Sequence, residues 1–130
     1  DGFKRFASEF TNNGYRRSAR LPRRFLDSKT ETAVDILIAG QIAGRVEKNP
    51  SVRFPDPSEA VVQGDLRTVT LARLIELKLV TWRYKDWGDV VELIRRNQLS
   101  ESFAEQLDAV ARTPFRECFD QASDPNYDSG

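Results

Sequence analysis

Histidine and methionine are both absent from these 130 residues, and cysteine occurs once, at Cys118. Without histidine there is no imidazole acid or base, no His-led triad and no His-containing metal site. A single cysteine allows no internal disulfide, which suits a reducing, cytoplasmic compartment. No apolar run approaches the roughly 18–20 residues that a membrane span needs, so no membrane partner is expected. The first residues do not read as a signal peptide. The missing methionine points to a trimmed chain or a piece of a longer protein. Also missing are G-x-x-x-x-G-K-[ST], G-x-G-x-x-G, G-x-S-x-G and C-x-x-C, along with any D-x-D or D-x-E pair on an apolar strand. Chemistry is left to carboxylates, lysine, arginine, hydroxyls and one thiol.

Acidic and basic residues balance, 20 against 20, so bulk charge selects no partner class. Their distribution is uneven: Arg16, Arg17, Arg20, Arg23 and Arg24 fall within residues 15–25, and the last residues are acidic and polar. Phe3, Phe6, Ala7 and Phe10 recur at helical spacing ahead of Gly14, which predicts a helix over 3–13. YRRSAR and RRFLDS read as two short strands, followed by an apolar strand over 33–39. Short links between the three suit a meander or a mixed sheet. Gly40, Gly44, Pro50, Pro55 and Pro57 mark a long loop over 40–57, with a short strand at 52–54. AVVQGDLRTVTL fits a hairpin turning at Gly64-Asp65.

From Leu71 the period becomes helical. LARLIELKLVTW carries a stripe of Leu71, Leu74, Ile75, Leu79 and Trp82 and is apolar nearly all round, so it belongs at the centre. RYKDWGDVVELIRRNQL turns Trp87, Val90, Val91 and Ile94 inward. Ser102 and Glu105 suggest a capping box for a third helix over 103–110, and Thr113-Pro114 suggests the start of a fourth. The expected architecture is α+β: one domain over 1–122, with sheet and loops at 15–70, helices at 71–121 and a disordered tail at 123–130.

Two charges sit oddly in this pattern. In TAVDILIAG, Asp35 lies between Val34 and Ile36 on what reads as a buried strand, where an ionised carboxylate needs a partner. Lys78 lies on the apolar stripe of its helix. It either snorkels to water or aims its ammonium at a carboxylate. Asp35 and Lys78 are thus either structural ion-pair partners or two parts of a polar site, the carboxylate for a metal or hydroxyl and the lysine for a phosphate. Asp86 and Asp89 share a helix face next to Arg83 and Lys85. They serve as a cap with a solvated acidic face, or they join Lys78 in one site. Arg16 and Arg17 could contact phosphates of a nucleotide or RNA, although strand neighbours point opposite ways. Cys118, between Phe115 and Phe119, reads as a small buried side chain.

The succession VDILIAG, FPDPSE, LARLIELKL, RYKDWGDVVELI and LSESFAEQLDAVAR resembles the nucleotidyltransferase-fold proteins, in particular a bacterial branch that includes toxins of abortive-infection, type IV toxin-antitoxin systems. The resemblance covers about residues 3–121. It implies a partial nucleotidyltransferase-like fold and transfer of a nucleoside monophosphate from a nucleoside triphosphate to a hydroxyl. Asp35 matches the third metal-binding aspartate, Lys78 matches a helical lysine, and Arg83, Lys85, Asp86 and Asp89 match an Arg/Lys-Asp-x-x-Asp segment. The Gly-Ser turn and Asp-x-Asp strand that the family uses for phosphates and magnesium are absent here. The resemblance therefore implies a chain that is inactive alone, with magnesium bound only if the missing carboxylates come from a preceding segment or a partner protein. A non-catalytic module for protein or RNA on the same scaffold is the alternative, and homo-oligomerisation stays open.

Overall fold

The computed structural model describes residues 2–48 and 51–127. Chain contacts divide it into two compact units, 1–38 and 39–130. The secondary structure is α+β, and among the described residues both sheets are antiparallel. No helix among the described residues is long and apolar enough to cross a membrane.

In the first unit, helix α1 (Gly2–Asn12) sets Phe6 and Phe10 on adjacent turns, with ring centroids 4.8 Å apart. Phe10 also meets Tyr15 at 4.7 Å and Phe25 at 5.2 Å. Phe25 is fully buried, so Phe10 joins the helix to the sheet. The helix stops where the Asn13 side chain donates to the Glu9 carbonyl and Gly14 takes φ +87°. Strands β1 (Tyr15–Arg17), β2 (Arg24–Asp27) and β3 (Ala33–Asp35) form a meander with β2 in the middle. Asp27 Oδ1 accepts the Lys29 and Thr30 amides and shapes the β2–β3 turn.

The apolar strand expected over 33–39 ends at Asp35 and is not buried. Val34, Ile36 and Ile38 are half-buried, while Ala33, Asp35, Leu37 and Ala39 are exposed. The alternation was legible. The two-sided burial was not, because β3 is an edge strand and one of its faces is open to water.

The second unit begins with a loop in which Ile42 and Arg53 form an isolated antiparallel bridge. Its Asn49 and Pro50 lie outside the described residues. Asp56 and Glu59 cap a single 3₁₀ turn, Pro57–Glu59, reciprocally. Strands β4 (Val61–Gln63) and β5 (Leu66–Thr68) follow as the expected hairpin, with Gly64 at φ +60° in the turn. Helices α2 (Leu71–Leu79), α3 (Tyr84–Asn97) and α4 (Ala109–Ser123) enclose the main core of Ile75, Leu79, Val90, Val91, Ile94 and Phe115. Every residue of α2 is at least partly buried, as its all-round apolar character requires.

Three boundaries depart from expectation. The separate helix expected over 103–110 does not form: Glu101–Gln106 is a 3₁₀ segment whose N-cap, Ser100, makes no side-chain capping bond, and residues 109–110 already belong to the next helix. Helix α4 starts at Ala109, capped by the Asp108 carboxylate on the Val110 amide, so Pro114 lies inside the helix and not at its first turn. A proline there removes one internal hydrogen bond, and Pro114 is buried. At the end of the chain, residues expected in a disordered tail are docked. Ser123 closes α4, and the Arg95 guanidinium lies 5.0 Å from the Tyr127 ring centroid. Residues 128–130 of that tail lie outside the described residues.

Gly44 holds the smaller core of Ala43, Val52 and Val80 together by close approach. It takes φ +69°, and a Cβ there would stand 2.2 Å from the Val80 carbonyl oxygen. Gly40 has a similar φ of +80° but open space around it. Gly44→Ala therefore pays backbone strain and a clash, Gly40→Ala strain alone. Urea unfolding is expected to show Gly44→Ala as the clearly less stable variant, by more than about 1 kcal/mol relative to wild type.

Candidate functional site

Helix α2 is capped by the Thr70 hydroxyl on the Arg73 amide and runs out at Leu79. Val80 closes it, and Trp82 takes φ +56° before α3 begins. This tight reversal brings the last turn of α2 beside the first two turns of α3. Charged side chains from both helices converge there.

Lys78 Nζ donates to Asp89 Oδ2 at 2.7 Å and stands 3.6 Å from Asp86 Oδ1. Asp86 Oδ2 accepts Arg83 Nε at 2.6 Å. The Thr81 hydroxyl lies 2.7 Å from the same oxygen and 2.8 Å from the Lys78 carbonyl, so its one proton is shared between two acceptors. Asp86 is 5% exposed. Burial pushes its carboxyl up, but hydrogen bonds from Thr81 and Arg83 and the charges of Arg83 and Lys78 outweigh it, holding the group below the usual carboxylate range. The result is an ionised carboxylate behind a positioned ammonium. Lys78 keeps about a quarter of its side chain open to water, and Asp89 is more open still, at 44%. Lys85 projects into solvent one residue before Asp86. Of the sequence candidates, the structure thus brings together Lys78, Arg83, Asp86 and Asp89.

Asp35 has a local partner in the other unit. It sits opposite Arg24 in the β2–β3 register, and the guanidinium grips both its oxygens at 2.7 Å. Those Arg24 hydrogen bonds hold its carboxyl below the usual range. The side chain is 51% exposed. Arg16 donates to Glu31 at 2.6 Å, while Arg17 donates to the Pro22 carbonyl and packs over Phe3. As strand neighbours these two arginines face opposite sides and form no joint patch.

Magnesium takes oxygen ligands in a near-octahedral set. These residues do not fit it. Arg24 occupies both Asp35 oxygens, and Asp86 and Asp89 are matched by Lys78 and Arg83. No group of three potential ligands converges among the described residues.

Glu76 is the important residue that the sequence pattern did not single out. It is 5% exposed on the same apolar helix as Lys78. Its Oε1 accepts the Asp108 amide at 2.7 Å and its Oε2 accepts Arg73, which also reaches Glu59 at 3.2 Å. A second charge inside LARLIELKL, three residues after Arg73, was the available signal. Cys118 is buried against the Trp87 carbonyl, and burial, with the charge of Glu117, pushes its thiol up to about 12. No protein-family profile, curated protein or solved structure matches this chain.

Asp86→Asn is expected to lower the unfolding free energy at pH 7 by about 1–3 kcal/mol, because donors arranged for a buried anion lose it. The folded carboxyl titrates below its unfolded value of 3.8. Its stabilisation is therefore complete above that pH and is lost as pH falls through the folded value. Urea titrations of wild type and variant should converge on acidification. Asp35→Asn, at a half-exposed pair, should shift the midpoint far less.

Proposed function

We propose that this chain is the C-terminal part of a nucleotidyltransferase-like protein, working in a reducing, cytoplasmic setting, and that it does not complete the transfer reaction alone. The observation that carries the proposal is the Lys78 ammonium, fixed by Asp86 and Asp89 at a junction that water still reaches. In such a transfer a hydroxyl oxygen attacks the α-phosphorus of a nucleoside triphosphate, the α–β P–O bond breaks and pyrophosphate leaves. Charge builds on phosphate oxygens, and a preorganised cation stabilises it. Lys78 would meet a phosphate by exchanging its bond to the more exposed Asp89, while the buried Asp86 keeps it in place. Arg83, 70% exposed, pairs with the same Asp86, and Lys85 is exposed one residue before it. Asp35 enters only through the resemblance, since Arg24 already answers its charge. Any magnesium would need carboxylates from outside these residues.

The alternative is a non-catalytic interaction module. It is favoured by the way Lys78, Arg83, Asp86 and Asp89 neutralise one another, which also describes a structural brace. Titration with ATP, followed by amide chemical shifts, separates the two. Shifts are expected over residues 78–89, with affinity lowered about tenfold in Lys78→Met, the worth of one charge-assisted hydrogen bond. Unchanged spectra, or shifts confined to Arg16 and Arg17, would leave the interaction module as the better account.

A further inference from the structure

Tyr84 opens α3 with 97% of its surface exposed, and its side chain makes no hydrogen bond, ion pair or ring contact among the described residues. An aromatic ring left entirely in water contributes nothing to the fold. Trp82, two residues earlier, is 41% exposed, although a bulky side chain rarely tolerates its φ of +56°. Trp87 supports one side of the indole at 5.3 Å, and the Lys48 ammonium lies 4.7 Å from the ring centroid. The loop that carries Lys48 is anchored beside this turn by Gly44 against Val80. Residues 44–48 and 82–85 together carry Arg45, Lys48, Arg83 and Lys85 against a single acidic residue, Glu47, and all five are exposed.

We propose that Trp82 and Tyr84, with Lys48 and Lys85, form a docking surface for single-stranded nucleic acid. The W-R-Y-K order alternates stacking faces with cations. An unpaired strand offers the complement, flat bases and regularly spaced phosphates. Tyr84 takes a base on its open ring, a neighbouring base displaces Lys48 from the Trp82 ring, and Lys48 and Lys85 then meet the backbone. Duplex does not fit, because its bases are already stacked and a lone exposed ring has nothing to receive. The surface shares Lys85 with the nucleotide role proposed around Lys78, but its two rings and Lys48 take no part in that role, so Tyr84→Ala and Lys78→Met test the two readings separately.

Fluorescence anisotropy of the whole chain with a labelled, unstructured 12-nucleotide strand tests this, with a duplex of equal length and free ATP as comparisons. Single strand should bind better than duplex, and ATP should compete only weakly. Tyr84→Ala, which cannot disturb packing, should weaken binding about tenfold. Lys85→Ala should lower the salt slope by about 0.7. Equal binding by wild type and Tyr84→Ala would overturn the proposal, as would a preference for duplex or no binding at low salt. Loss of binding in Arg16→Ala with Tyr84→Ala unaffected would move the interface to the arginine strands and overturn it too. ATP binding at the same affinity as the strand, through Tyr84, would make the platform a nucleotide site instead.

Discussion

A carboxylate taken out of water must be supplied with donors, and two such groups, Glu76 and Asp86, organise the larger unit. Glu76 accepts the Asp108 amide and thereby anchors the segment from which α4 starts. Asp86 gathers Arg83, Thr81 and Lys78 and thereby sets the reversal between α2 and α3. Both lie on helices whose other buried residues are apolar, so each is the polar point at which a helix is tied to its neighbour. Apolar packing alone tolerates sliding. A hydrogen bond of 2.7 Å to one named amide does not.

The same constraint explains why the candidate site is compact. Lys78 cannot wander along the α2 stripe, because Asp86 and Asp89 hold its ammonium on the α3 side. Trp82 cannot relax out of its left-handed conformation without moving Thr81, whose hydroxyl is shared between Asp86 and the end of α2. The exposed Trp82 and Tyr84 are therefore displayed by a turn that the buried charge holds in place. In the smaller unit the corresponding pair, Arg24 and Asp35, lies at the surface, and Phe10 against Phe25 does the holding.

Much of the architecture could be read along the chain because short-range pattern governs it. The aromatic spacing of α1, the three short strands after it, the Gly64-Asp65 hairpin and the apolar α2 all follow from local periodicity and turn chemistry, whereas the choice of an antiparallel meander over a mixed sheet came only with the strand pairing. So does the closeness of Asp86 and Asp89, which share a helix face. What failed depended on partners far away in sequence. Ser102 and Glu105 make a plausible capping box, yet the tie from Asp108 to Glu76 sets the start of α4 and leaves Pro114 within the helix. Tyr127 looked like tail residue until Arg95 covered it.

Asp35 and Lys78 show the division most clearly. Sequence by itself marked both charges as anomalies among apolar neighbours, and it left Lys78 two answers, water or a carboxylate; for Asp35 it expected a burial that the edge strand does not impose, since that side chain is 51% exposed. It also determined the α+β composition, since periods of two and 3.6 belong to single elements. Only the tertiary structure decided which partner each charge received. β3 became an edge strand and gave Asp35 to Arg24 at the surface, while the α2–α3 reversal gave Lys78 to Asp86 and Asp89. The reason is geometric: a side chain's need is local, but the donor that meets it is chosen by how elements pack.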